Sequence, residues 1–180
     1  MNNKDIVNIS ENFYLISCQW CAFMENIGVK TAGLSEIKMI SPILADLIKQ
    51  AMELPHDICK CRFKDKNKDY YRSNKTYSYV SFEEKYRYYD MFLLPFENQR
   101  VTNERDKETP CICDLNDDIN SITSDLLVGM SAYENGEEIV AAYLWGHLYK
   151  IHWGVFHASQ AFYAMQHAYL ENAWNRQGNR

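Results

Sequence analysis

Glycine and proline are scarce in this 180-residue chain, at 7 and 4. That disfavours an all-β fold assembled from many tight turns. No apolar run approaches the roughly 18 residues that a membrane-spanning helix needs. The opening Met1-Asn2-Asn3-Lys4-Asp5 lacks the basic start and apolar core of a signal peptide. Together these absences point to a cytoplasmic protein with no membrane partner. Lysine and arginine are missing altogether between Asp114 and Glu138, and the net charge is −5. The chain as a whole therefore gives no electrostatic reason to bind nucleic acid. No glycine-rich phosphate loop, nucleophile elbow or Ser/His/Asp order occurs either.

What is present is a globular composition, 47% hydrophobic and 24% charged, with 13 tyrosines. A chain of this length buries enough apolar surface to stand as one domain over residues 1–180 without disulfides. Its six cysteines fall in three close pairs, Cys18/Cys21, Cys59/Cys61 and Cys111/Cys113. In a cytosolic protein such pairs read as reduced thiols, a metal site or redox chemistry before a disulfide framework.

Apolar periodicity predicts helices through most of the chain. Ile6, Ile9, Phe13, Ile16, Trp20, Phe23 and Ile27 recur at steps of three and four, giving a helix over about residues 4 to 27 that Gly28 closes. Leu34, Ile37, Met39 and Ile40 start another, and Ser41-Pro42 reads as a stop and restart before a third helix to about residue 53. Residues 56–80 lose periodicity and form a long basic, tyrosine-rich connection. The capping-box spacing of Ser81-Phe82-Glu83-Glu84 predicts a helix to about Leu94, ended by Pro95. After a second polar loop, Asp114 caps a helix to Tyr133 that stops at Asn135-Gly136. From Glu137 an apolar phase runs on through Val140, Leu144, His147, Ile151, Gly154, Ala158, Phe162, Met165 and Tyr169. One helix of about 40 residues would be about 60 Å long, so a break or kink is expected near His152 to Gly154. The expectation is an all-α bundle of six or seven helices.

The segment His152-Trp153-Gly154-Val155-Phe156-His157, running on to His167, and the upstream Asp117-Asp118-Ile119 and Asp125-Leu126 hold most of the chemistry. In this order, with an aromatic first helix, Pro42 in the second and a stop at Leu54-Pro55, they resemble a bacterial family designated domain-of-unknown-function family 5063. The resemblance spans nearly the whole chain, least in residues 56–110. It implies an all-helical single domain and brings no established activity. Ser121 stands where the resemblance calls for a further acid, and Val155 and Phe156 separate His157 from Gly154.

Two ligands on one α-helix reach one ion when they are three or four residues apart. His147, His152 and His157 step by five, and at 100° per residue they point three ways. On that count a histidine would need Asp118 or Asp125 from another helix, and a plain buried hydrogen bond is the first reading. The metal or catalytic alternative takes His152, His157, Asp118 and Asp125. A zinc alternative takes Cys59, Cys61, Cys111 and Cys113, if their loops meet and their basic and helix-start settings lower the thiol pKa values. Glu53 and His56 bracket Pro55 and so cannot be a helical di-metal motif. The Lys64, Lys66, Lys68 and tyrosine stretch could grip a single strand, but a solvated loop is preferred. Gly154, Ala158 and Ala161 predict close approach of a neighbouring helix.

The leading functional expectation is a non-enzymatic protein that binds another protein, of the immunity or antitoxin type, masking a basic toxin. Its acidic face would comprise Asp117, Asp118, Asp125, Glu134, Glu137 and Glu138. Partner and oligomeric state are left open.

Overall fold

A computed structural model describes residues 1–28, 30–57, 61, 79–91 and 111–177. The expected basic connection and the 95–110 loop therefore lie mostly outside the described residues. Helix α1 spans Asn3–Ile27, opened by a reciprocal cap in which Asn2 Oδ1 accepts the Asp5 N–H at 3.0 Å. Its stripe of Ile6, Phe13, Ile16, Trp20, Met24 and Ile27 is buried. Helix α2 spans Leu34–Ala51.

Two short pieces of strand tie the loops down. β1 (Thr31–Ala32) pairs in parallel with β2 (Ser81–Phe82), in register Thr31 to Ser81 and Ala32 to Phe82. After the single turn α3 (Glu84–Arg87), β3 (Tyr88–Met91) pairs antiparallel with β4 (Cys111–Asp114), Tyr88 opposite Asp114 and Met91 opposite Cys111. Helix α4 (Leu115–Glu134) follows, with Asp114 accepting the Asn116 N–H at 2.9 Å as its cap. It ends at Asn135, and Gly136 turns the chain at φ 75°. Helix α5 (Glu138–Leu148) passes without a loop into a π-helical segment, Tyr149–Ala158, and that into α6 (Ser159–Gln177).

The fold is all-α, as expected, but the helices are divided differently. The proline break in the second helix is not there. Pro42 lies inside a continuous α2 on its solvent side, while Ile37, Ile40, Leu44 and Leu47 hold one buried stripe across it. Packing of that stripe outweighs the lost amide, and Ser41 Oγ donates to Ile37 O at 2.7 Å at the same point. The helix expected from Ser81 to Leu94 is the other correction. Its first residues add a strand to β1, and after one turn the tyrosines continue as β3, since residues of this kind suit a pleated surface when a partner strand is at hand. Asparagines on α4 hold the returning chain. Asn116 Oδ1 accepts the Phe82 N–H at 2.8 Å, and Asn120 bonds both the N–H and the carbonyl of Val80.

The core sits where α1, α4 and α5 meet, with α2 and α6 packed alongside. Trp20, Trp145 and Trp153 are fully buried in it. The polar atoms taken in are mostly paired: Trp20 Nε1 donates to Thr123 Oγ1 at 2.9 Å and Trp145 Nε1 to Leu126 O at 2.8 Å.

Candidate functional site

The π segment is what the 100°-per-residue reading misses. In an α-helix a residue bonds four back, and in a π-helix five back, so each residue turns the chain less. Residues five apart then share a face. His152 and His157 are five apart, and their rings lie 4.9 Å apart at 73°. Both face α4, where Asp118 and Asp125 are two turns apart on one side.

Each histidine takes one aspartate. His152 Nδ1 lies 2.7 Å from Asp125 Oδ2, and His157 Nδ1 lies 2.9 Å from Asp118 Oδ1. A carboxylate only accepts, so in each pair Nδ1 carries the hydrogen and Nε2 is left over. The later aspartate meets the earlier histidine, because α4 and the segment beyond α5 run in opposite directions. The pairs differ in burial. In the outer pair the His152 side chain is 46% exposed, in the inner pair His157 is 14% and Asp118 4%.

The π turn closes over Tyr149. A side chain at Gly154 would overlap the Tyr149 ring and carbonyl, five residues back on the same helix. The expectation that Gly154 admits a neighbouring helix is thus corrected: the space it leaves is filled by its own preceding turn. At the far end Ser159 Oγ donates to Gly154 O at 3.3 Å. Trp153, between the histidines in sequence, is buried with no partner for Nε1 among the described residues, a cost of about 1–3 kcal/mol. Close approach of two helices occurs elsewhere, at Gly129 against Trp145, and at Gly146 the Pro55 backbone fits instead.

Burial is the largest influence on Asp125 and raises its carboxyl pKa above the usual range, with the His152 hydrogen bond and charge pulling the other way. A raised pKa means that this group's favourable contribution is full at pH below about 4 and is lost as pH rises through the folded value. Asp125→Asn keeps an acceptor for His152 and carries no charge. Its stability relative to the natural chain is expected to improve as the pH is taken from about 4.5 to about 8. Urea midpoints at the two pH values check this. A variant that falls further behind at the higher pH would show that pairing with His152 outweighs burial.

The residues of the expected acidic face are divided between surface and interior, with Asp117 and Glu134 exposed. Asp118 and Glu137 are 3% and 8% exposed, and Asp125 is turned to His152. Asp117 is exposed, Glu134 accepts a hydrogen bond from Tyr14 at 3.2 Å, and Glu138 is half-buried, its carbonyl accepting from Ser10. Of the other histidines, His147 is half-buried on α5 and His167 is 57% exposed, 3.8 Å from Glu171.

Cys61 is half-buried. Burial first, and the charge of Glu137 second, push its thiol up, opposite to the lowering expected in a basic loop. Cys113 directly precedes the Asp114 cap of α4, as expected for a residue before a helix start, but it lies on β4 and not in a loop. Cys59 and the Cys111 side chain lie outside the described residues, as do Lys64, Lys66 and Lys68. Among the described residues, no three of His, Cys, Asp and Glu are grouped as metal ligands. A groove of about 740 Å³ beside α1 and α2, and a cavity of about 310 Å³ lined by Tyr86, Tyr88, Tyr163 and His167, both lie away from the two pairs.

No protein-family model, curated protein or solved structure matches the chain. The arrangement itself must therefore speak for the function.

Sequence reasoning named the four residues and a His–Asp hydrogen bond between helices, but not that both histidines would pair or which aspartate each would meet. The signal was a five-residue histidine step with Gly154 between, which a π turn satisfies and an α-helix does not. The same turn redirects the helix beyond it. Ile151 and Tyr169, read as inward, are each 50% exposed, while Ala161, Ala164, Met165 and Ala168 face the core. Among the described residues, no helix is long and apolar enough to cross a membrane.

Proposed function

We propose that the protein works by binding another protein on the outer side of its last helical run. The observation that supports this is an exposed apolar stripe. Ile151, Val155, Phe156, Tyr163 and Leu170 are 40–54% exposed on the π segment and α6, at spacings that bring most of them to one side. Apolar groups gathered on one element mark interaction sites more often than singly scattered ones do. His152 and His157 lie on the same segment and tie it to α4 through Asp125 and Asp118.

The specific form proposed is an immunity- or antitoxin-type protein of the cytoplasm that masks a basic toxin. The net charge of −5 and the exposed Asp117 support a basic partner. Membership of family 5063 belongs to the same proposal, supported by the order of the aspartate and His-Trp-Gly blocks.

The test uses the product of the adjacent gene as partner and measures affinity by calorimetry, with Val155→Asp and Phe156→Asp in the full chain. Both residues are well exposed, so melting temperature should stay within a few degrees. Affinity should fall at least tenfold for each, and Asp117→Lys should mainly slow association at low salt. Unchanged affinity in both apolar variants would remove the reading. A concentration-dependent dimer that Val155→Asp dissolves would assign the stripe to a second copy of this chain instead.

A further inference from the structure

We propose that His152 and His157 together bind one divalent transition-metal ion through their Nε2 atoms, with Asp125 and Asp118 orienting the two rings from behind. This does not rest on the docking stripe. On an α-helix, histidines four apart present two nitrogens to one ion. The π turn does the same for histidines five apart, bringing the rings to 4.9 Å.

Three features distinguish the arrangement from two packed polar side chains. Each Nδ1 is already committed to a carboxylate, at 2.7 and 2.9 Å. A carboxylate behind the imidazole is the usual companion of a metal-bound histidine, since it sets the tautomer and makes Nε2 a better donor. Neither Nε2 has a hydrogen-bond partner among the described residues, and His152 is open enough for an ion to enter. Finally, the buried Asp118 and the rare π geometry both cost stability, and π turns recur where a function needs them.

Two imidazoles favour copper, nickel or zinc over calcium or magnesium. Water, or a side chain of a docked partner, would complete the coordination. A site with two protein ligands binds less tightly than the three- and four-ligand sites of zinc enzymes and fingers. Micromolar affinity is the scale expected.

The experiment titrates chelator-treated, dialysed full-length protein with zinc or nickel chloride, followed by calorimetry and by the imidazole nitrogen resonances. One ion per chain is expected, with Nε2 and not Nδ1 shifted at both histidines. His152→Ala, at the half-exposed position, should weaken binding by at least tenfold while the fold is retained. Asp125→Asn should weaken it by about tenfold, the effect of losing an outer carboxylate. His157→Gln keeps a donor toward Asp118, and it too should lose the ion. No binding at millimolar metal, or equal affinity in His152→Ala, would overturn the proposal. So would zinc binding that survives both histidine changes and vanishes with Cys59→Ser and Cys61→Ser, which would move the site to the cysteine loops.

Discussion

His157→Ala should destabilise the fold by about 2–4 kcal/mol, whereas His152→Ala should cost less than about 1 kcal/mol. The chemistry removed is the same in both. The difference is what each aspartate is left with. Asp118 has a side chain 4% exposed, so losing His157 strips a buried carboxylate of a partner that water cannot replace. In the outer pair Asp125 is 13% exposed, but His152 is 46% exposed, so water enters the space that the ring leaves beside the carboxylate. Urea denaturation of the two variants at neutral pH measures the contrast. Equal losses would mean that the two pairs act as one unit and that burial does not rank them.

A second large effect is expected at Gly129, a residue with no polar chemistry at all. Its missing side chain leaves room for the Trp145 indole, and a methyl group there would overlap Nε1, Cδ1 and Cε2 of the ring. The indole cannot easily withdraw. Its Nε1 donates to Leu126 O at 2.8 Å, and the Phe13 ring packs at 5.0 Å. Alanine gains up to about 1 kcal/mol in helix propensity, but overpacking of this kind costs about 1–3 kcal/mol and occasionally more. Because the overlap is with a fixed ring, we expect Gly129→Ala to lose about 2 kcal/mol net. Trp145→Phe in the same chain should recover part of that loss, since the smaller ring gives the methyl space. A double-mutant cycle measured by thermal or urea unfolding resolves the coupling. Strictly additive losses would mean that the methyl group and the indole do not meet.

The parts of the fold that were legible in the sequence are those where local signals and packing agree. Helix α1 shows its stripe from Ile6 to Ile27 and its end at Gly28, and α4 shows Asp114 and Asn135-Gly136. At Pro42 the local signal and the buried stripe disagree, and the stripe prevails because the proline faces solvent. After Ser81 the local signal again misleads, because the partners that make strands of Phe82 and Tyr88 come from residues 31–32 and 111–114, far away in the chain. The candidate site was half legible. Asp118, Asp125, His152 and His157 stood out as residue types, but their pairing depends on a helix that changes its pitch. No fixed angle per residue predicts that.

The inner face of α6 is built largely from alanines: Ala161, Ala164 and Ala168, with Ala158 just before them. Such a face is smooth, and smooth helices slide. Nothing in a row of methyl groups distinguishes one axial position from the next turn along. The crossed His–Asp pairs supply what the alanines lack. On one helix the aspartates are seven residues apart, on the other the histidines are five, so the two scales coincide at a single setting, as on a vernier. A shift by one turn in either direction would part both aspartates from their histidines at once. The polar pairs thus act as the axial stop of the final helix.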